Sequence, residues 1–193
     1  MVVIGIAGGT CSGKTTLADR VRKRLGKHCT VLPLDNYYVI SELPFEERAL
    51  LNHDVPESID WPLVREHVEQ LIAGRLVHMP VYSFRRHKRT EETTELAPAQ
   101  MLIIEGIHAW HDPKIRQQMR LKVFLDSSPD ERKHRRIERD LQERCADIEF
   151  VVEKFENQTE ATFVDFEQEY KSTADIVADN LDDAENRIIG VMS

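Results

Sequence analysis

Cysteine is scarce in this chain: Cys11, Cys29 and Cys145 are the only three in 193 residues. They are odd in number, far apart and without metal-ligand spacing, which excludes a disulfide framework or a zinc cluster. Glycine and proline, at eight each, are too few for a collagen-like or low-complexity chain. Positive charge is short as well: 26 Lys and Arg face 34 Asp and Glu, a net charge of −8. That balance argues against a general nucleic-acid binder, which needs a basic surface. It leaves room for a small phosphorylated ligand held by a few local cations. No apolar run approaches the roughly 20 residues of a membrane span. The apolar start, Met1–Ala7, is too short for a signal core and has no basic residues ahead of it. A soluble, cytoplasmic protein without a membrane partner is expected.

What is present is ordinary globular material, 41% hydrophobic and 31% charged. The length suits one domain over residues 1–193, with no repeats and no low-complexity linker. Val2–Ala7 is a continuous apolar run, as expected of a central parallel strand covered on both faces. Lys14–Gly26 carries Leu17, Val21 and Leu25 at helical spacing and ends on glycine. Thr30–Leu34, Met101–Glu105, Leu121–Asp126 and Ala174–Ala178 are further strands. Asp60 with Pro62 starts a helix that closes at Gly74. Pro129–Arg144 and most of Ile148–Tyr170 are helical. His78–Phe84 and Thr93–Leu96 form a small hairpin insertion at about 76–97, with Pro80 favouring an edge position. Strands alternating with helices predict an α/β fold with a doubly wound parallel sheet.

Between the first strand and the first helix lies Gly8-Gly9-Thr10-Cys11-Ser12-Gly13-Lys14-Thr15, followed by Thr16. It matches the phosphate-binding pattern G-x-x-x-x-G-K-[ST] in the strand-to-helix context that the pattern requires. Glycines let backbone N–H groups turn toward phosphate oxygens, and the helix start adds partial positive charge. Lys14 is placed for the β- and γ-phosphates and the Thr15 hydroxyl for Mg²⁺. This predicts the P-loop NTPase fold with ATP as ligand. Neither the Asn-Lys-x-Asp nor the Asp-x-x-Gly string of a GTPase occurs.

A kinase also needs an acid at the acceptor hydroxyl and cations for the transition state. Asp35 follows the second strand, and ligands of open α/β sheets bind beyond the carboxyl ends of strands. Glu105 closes an apolar strand, a costly place for an acid unless it faces a ligand or metal. Arg132, Arg135, Arg136 and Arg139 recur at helical spacing with Lys133 and Arg144 nearby, a candidate lid over about 129–147. Some of these cations are expected to pair with Glu131, Glu138 and Glu143, and two or three to reach the ligand.

The ordered set of motifs resembles the uridine/cytidine kinases of the P-loop nucleoside kinases. It comprises the phosphate loop, Asp35-x-x-Tyr38, Asn52-x-Asp54-x-Pro56, Pro80-Val81-Tyr82-x-Phe84-x-x-His87-x-Arg89, Glu105-Gly106-Ile107 and Arg135-Arg136-x-x-Arg139-Asp140-x-x-Glu143-Arg144. The resemblance spans about Gly5 to Asp175. It implies ATP with Mg²⁺, and a uridine or cytidine 5′-hydroxyl as acceptor. It implies Asp35 as general base, Asp54 on the ribose hydroxyls, and Tyr38, Tyr82 and His87 at the nucleoside. It also implies Arg136 and Arg139 as lid arginines, Thr15 and Glu105 at the metal, and a homo-oligomer, a tetramer in that family. The sequence departs from the family at Cys145-Ala146-Asp147, where Gly-Arg-Asp is usual, at Lys154 in place of a glutamine, and at His53 in place of an aromatic. The phosphoryl-transfer positions are kept and the base-recognition positions are changed. Two alternatives stand beside this reading. One is a related kinase for nicotinamide riboside or a ribulose phosphate, with Lys154 either solvated or favouring an anionic acceptor. The other is an ATP-binding regulatory module without chemistry.

Overall fold

The computed structural model describes residues 1–143 and 147–192. The expectations placed on Arg144, Cys145 and Ala146 lie outside the described residues. The chain runs β1 (Val2–Gly8), α1 (Lys14–Leu25), β2 (Cys29–Pro33), α2 (Phe45–Leu50), α3 (Trp61–Ile72), β3 (Val77–Ser83) and β4 (Lys88–Leu96). It continues through β5 (Met101–Glu105), α4 (Pro113–Gln118), β6 (Leu121–Leu125), α5 (Pro129–Glu143) and α6 (Ile148–Lys154). A π-helical turn, Phe155–Glu160, leads into α7 (Ala161–Thr173), and β7 (Ile176–Ala178) and α8 (Leu181–Gly190) close the fold.

Five strands form one parallel sheet in the order β2-β5-β1-β6-β7. Strand periodicity divides the apolar runs between two faces. Val3, Leu32, Leu102 and Ile104 pack with Val64, Val68 and Leu71 of α3. Ile4, Ile6, Ile103 and Val123 pack with Leu17, Ala18 and Val21 of α1 and Ala184 and Ile188 of α8. A third cluster sets Trp110 and Phe124 against Phe163 and Tyr170 of α7. Each such side chain taken fully from water contributes about 1.5–3 kcal/mol. Helices thus cover both faces, as the sequence predicts. No helix among the described residues is long and apolar enough to cross a membrane.

The hairpin β3–β4 is antiparallel, with its register shifting between Pro80 and Tyr82. Its second strand begins at Lys88, not Thr93, because β4 is largely exposed and carries no apolar alternation to read. Arg89 fastens it to the body, donating to the Tyr37 carbonyl at 2.8 Å and to Asp60 Oδ2 at 3.1 Å. Asp60 also caps α3 by accepting from the Leu63 N–H. Three helices escaped the sequence reading, each with a legible start. They are α2 after Pro44, α4 capped by Asp112 with Pro113 in its first turn, and α8 capped by Asn180.

The sheet brings four carboxyl ends to one edge. The phosphate loop follows β1, Asp35 follows β2, Glu105 ends β5, and Ser127 follows β6.

Candidate active site

The phosphate loop is shaped by residues that reject side chains. Gly8 and Gly13 have φ of 147° and 100°, and Cys11 between them also sits at positive φ, 58°. A Cβ on Gly8 would fall 2.5 Å from the Leu125 carbonyl oxygen, and one on Gly9 would fall 2.5 Å from Arg132 Nη1. Lys14 is buried and donates to the Gly9 carbonyl at 2.8 Å. Burial pushes its pKa down, and the nearby carboxylates of Glu105 and Asp35 pull it back up. Ser12 Oγ is buried without a hydrogen-bond partner among the described residues.

Glu105 is buried and accepts from Thr15 Oγ1 at 3.0 Å. Its pKa is pushed up to about 7, chiefly by burial and then by Asp35, with Lys14 and Thr15 opposing. A buried carboxyl whose ionisation is disfavoured by a neighbouring carboxylate marks a place that favours a cation. Among the described residues no three His, Cys, Asp or Glu side chains converge as a metal cage. Mg²⁺ shared with phosphates needs only one or two protein oxygens, and a hydroxyl beside a buried carboxylate is the hard donor set that suits it.

A cavity of about 520 Å³ opens on this edge. Thr10, Cys11, Gly13, Lys14, Thr15 and Thr16 line one end together with Glu105. Asp35 lines it as well, so its carboxylate and the phosphate loop share one cleft. Tyr38 donates to Asp35 Oδ1 at 3.0 Å and fixes its orientation. Gly8, Gly9 and Ser12 belong to the loop but do not line the cavity.

The other end of the cavity is aromatic. Tyr38 meets Tyr82 and His53 with ring centroids 5.0 and 4.7 Å apart. Phe84 packs on Tyr82 at 5.3 Å, Phe45 on His87 at 5.6 Å, and Phe150 joins the wall. His87 reaches this position from the hairpin turn, at φ 47°. Burial, then Lys154 and His87, lowers the His53 pKa to about 4, so this ring is neutral near pH 7. Asp54 is buried and also lines the cavity.

Three arginines of α5 close the donor side. Arg136 donates to Thr10 Oγ1 at 2.9 Å and to Asp140 Oδ2 at 2.8 Å; Arg139 donates to Asp140 Oδ1 at 2.9 Å. Arg135 contacts the Cys11 carbonyl at 3.4 Å. Arg132 behaves differently from its neighbours. It is fully buried behind Gly9, paired in two bonds of 2.8 Å with Glu160, and stacked 5.0 Å over Phe163. Lys154 lines the cavity too, and its Nζ donates to the Ala49 and Leu51 carbonyls at 2.8 and 3.4 Å. That caps the carboxyl end of α2. The sequence reading missed Phe45 and Phe150, and no spacing marks either. It also did not set Arg135 apart from the rest of its charged helix.

Comparison with known proteins bears on the same chain length. The model of the phosphoribulokinase/uridine kinase family matches residues 3–186. Uridine kinase of Halobacterium salinarum is 38% identical over 175 residues, covering 90% of this chain and 78% of that protein. Uridine kinase of Deinococcus deserti is 38% identical over 177 residues, covering 91% and 86%. A solved chain from Silicibacter sp. TM1040, named for a fructose transport system kinase, superimposes with a TM-score of 0.72 at 19% identity, covering 92% of this chain and 89% of that one. That last likeness speaks for the fold.

Proposed function

The chain belongs to the phosphoribulokinase/uridine kinase family, and from that premise we propose that it transfers the γ-phosphoryl group of ATP to the ribose 5′-hydroxyl of uridine or cytidine. One observation carries the choice of acceptor: the cavity that holds the phosphate loop ends in a box of aromatic rings. A flat pyrimidine ring can stack there, as a nicotinamide ring can, whereas a ribulose phosphate offers nothing to such walls; the family relatives turn the choice toward the pyrimidine. The same box, with Asp35 at its mouth, speaks against a module that only binds ATP. The reaction belongs in the cytoplasm, on a free nucleoside.

In this reading the loop amides and Lys14 hold the triphosphate, Lys14 exchanging the Gly9 carbonyl for phosphate oxygens. Thr15 and Glu105 would hold Mg²⁺, which when bound neutralises phosphate charge. Asp35, oriented by Tyr38, accepts the hydrogen bond of the 5′-hydroxyl and takes its proton as the new bond forms. Asp54 holds the ribose hydroxyls, and Tyr82 and His87 contact the base. Arg136 and Arg139 stabilise charge that spreads over the transferring group.

The test is ADP release with MgATP across uridine, cytidine, nicotinamide riboside and ribulose 5-phosphate. Uridine or cytidine should give the highest kcat/KM, by at least about tenfold over the others. Turnover confined to nicotinamide riboside or the sugar phosphate, or absent on every acceptor, refutes the assignment.

A further inference from the structure

The loop that carries Asp54 has little regular structure of its own, yet its residues are held at several points, mostly from one arm of the chain. Thr159, wholly buried in the π-helical turn, donates its hydroxyl to Asp54 Oδ2 at 2.8 Å. The Asp54 N–H donates to Asn52 Oδ1 at 2.9 Å, and Asn52 Nδ2 in turn donates to Thr162 Oγ1 of α7 at 3.0 Å. The Asp54 carbonyl accepts from His108 Nε2 at 2.8 Å, and His108 Nδ1 lies 2.8 Å from the Tyr170 hydroxyl, also on α7. A carbonyl can only accept, so the His108 proton is on Nε2. The His108 ring is neutral, its pKa lowered to about 4 by burial, so Nδ1 accepts from Tyr170. Thr159, Thr162 and Tyr170 therefore reach the loop from one continuous helical arm, the first two directly on its side chains and the third through His108.

The geometry matters because the clamp takes only one carboxylate oxygen. Oδ2 is committed to Thr159, while Oδ1 accepts no hydrogen bond among the described residues; the carboxylate feels the Arg136 charge, and Asp54 lines the cavity. The adjacent Glu160 grips Arg132 behind the phosphate loop. The π turn thus braces the acceptor side and the donor side through neighbouring residues.

We infer that Thr159 is a positioning residue for the acceptor: its hydroxyl aims the Asp54 carboxylate so that the free oxygen meets the nucleoside's sugar hydroxyls. The inference rests on the proposed nucleoside kinase activity. Replacing the hydroxyl by a methyl leaves Oδ2 buried without a donor, and bonds to a charged group are the strong ones.

The experiment measures KM for the nucleoside and for ATP, with kcat, in wild type, Thr159→Val and Thr159→Ser, using whichever nucleoside the wild type phosphorylates. Thr159→Val should raise the nucleoside KM by about tenfold or more, leave the ATP KM within about twofold, and be largely rescued by Thr159→Ser. A merely structural role lowers the folded fraction, which reduces kcat and leaves both KM values alone. Unchanged nucleoside KM in Thr159→Val overturns the inference, as does an equal rise in both KM values. Should that variant fail to fold, Thr162→Val, which removes only the anchor of Asn52, carries the test: a rise of a few-fold in the nucleoside KM alone supports the clamp, and no change refutes it. Wild type inactive on all nucleosides would instead defeat the activity on which the inference rests.

Discussion

Glu105 makes a quantitative demand on the stability of the nucleotide-free protein. Its carboxyl pKa rises from an ordinary 4.5 to about 7, with burial the largest cause. Between those values the folded state keeps a proton that the unfolded state has lost, so stability attributable to Glu105 falls as pH rises through this window. At about 1.4 kcal/mol for each tenfold, the whole span is worth about 3 kcal/mol. His53 and His108 act in the opposite sense. Both are held neutral with pKa near 4, so their stabilisation fades as pH falls from the ordinary histidine range. Lys14, with its pKa lowered from 10.5 chiefly by burial, adds stability as pH rises toward that ordinary value. The wild-type curve is therefore a sum, and the difference between wild type and Glu105→Gln isolates the carboxyl. Thermal unfolding between pH 5 and 8, with EDTA and no nucleotide, reads it directly. Glu105→Gln should gain on wild type as pH rises, by about 6–12 °C in Tm across the range for a chain of this size. Parallel Tm curves would refute the reasoning, since they would mean that Glu105 ionises as an exposed carboxylate does.

Two further outcomes follow from pairs at the edge of the site. Arg132→Met leaves Glu160 without its partner behind the phosphate loop, and urea unfolding should show a loss of about 3 kcal/mol; a change below about 0.5 kcal/mol would remove Arg132 from the scaffold. Lys154→Gln removes the charge that, after burial, does most to hold the His53 pKa down, while burial, the larger cause, remains. The His53 imidazole should then titrate above about 4 yet still below the ordinary histidine value, as followed by its ring proton resonances. An unchanged midpoint would show that the Lys154 charge does not reach that ring.

The sheet and the phosphate loop were legible because they rest on local rules. Val2–Gly8 and Met101–Glu105 are apolar runs buried on both faces, and the loop glycines sit between a strand and a helix. Asp35 and Glu105 were legible from topology, since both stand at carboxyl ends of parallel strands. The aromatic box was only half legible. Phe45 lies on a six-residue helix and Phe150 on a seven-residue one, and nothing in local spacing says that they converge. Arg132 shows the same limit in the other direction. Its sequence neighbours Arg135 and Arg136 share its charge and its helix, and only the packing of Phe163 and Glu160 behind Gly9 turns it inward. The Lys154 contacts were not legible, because its partners, the carbonyls of Ala49 and Leu51, are about a hundred residues away and lie at the end of a helix that had not been anticipated.

The shared cleft stands or falls on the turnover of Asp35→Asn with uridine, or cytidine, and MgATP. Asparagine can still accept the Tyr38 hydroxyl, so the loop and the ATP site should persist, with KM for ATP near that of wild type. The account predicts that kcat drops about 10²–10⁴-fold, the loss expected when a general base is removed. Turnover at the wild-type rate would mean that the acceptor hydroxyl never meets this carboxylate.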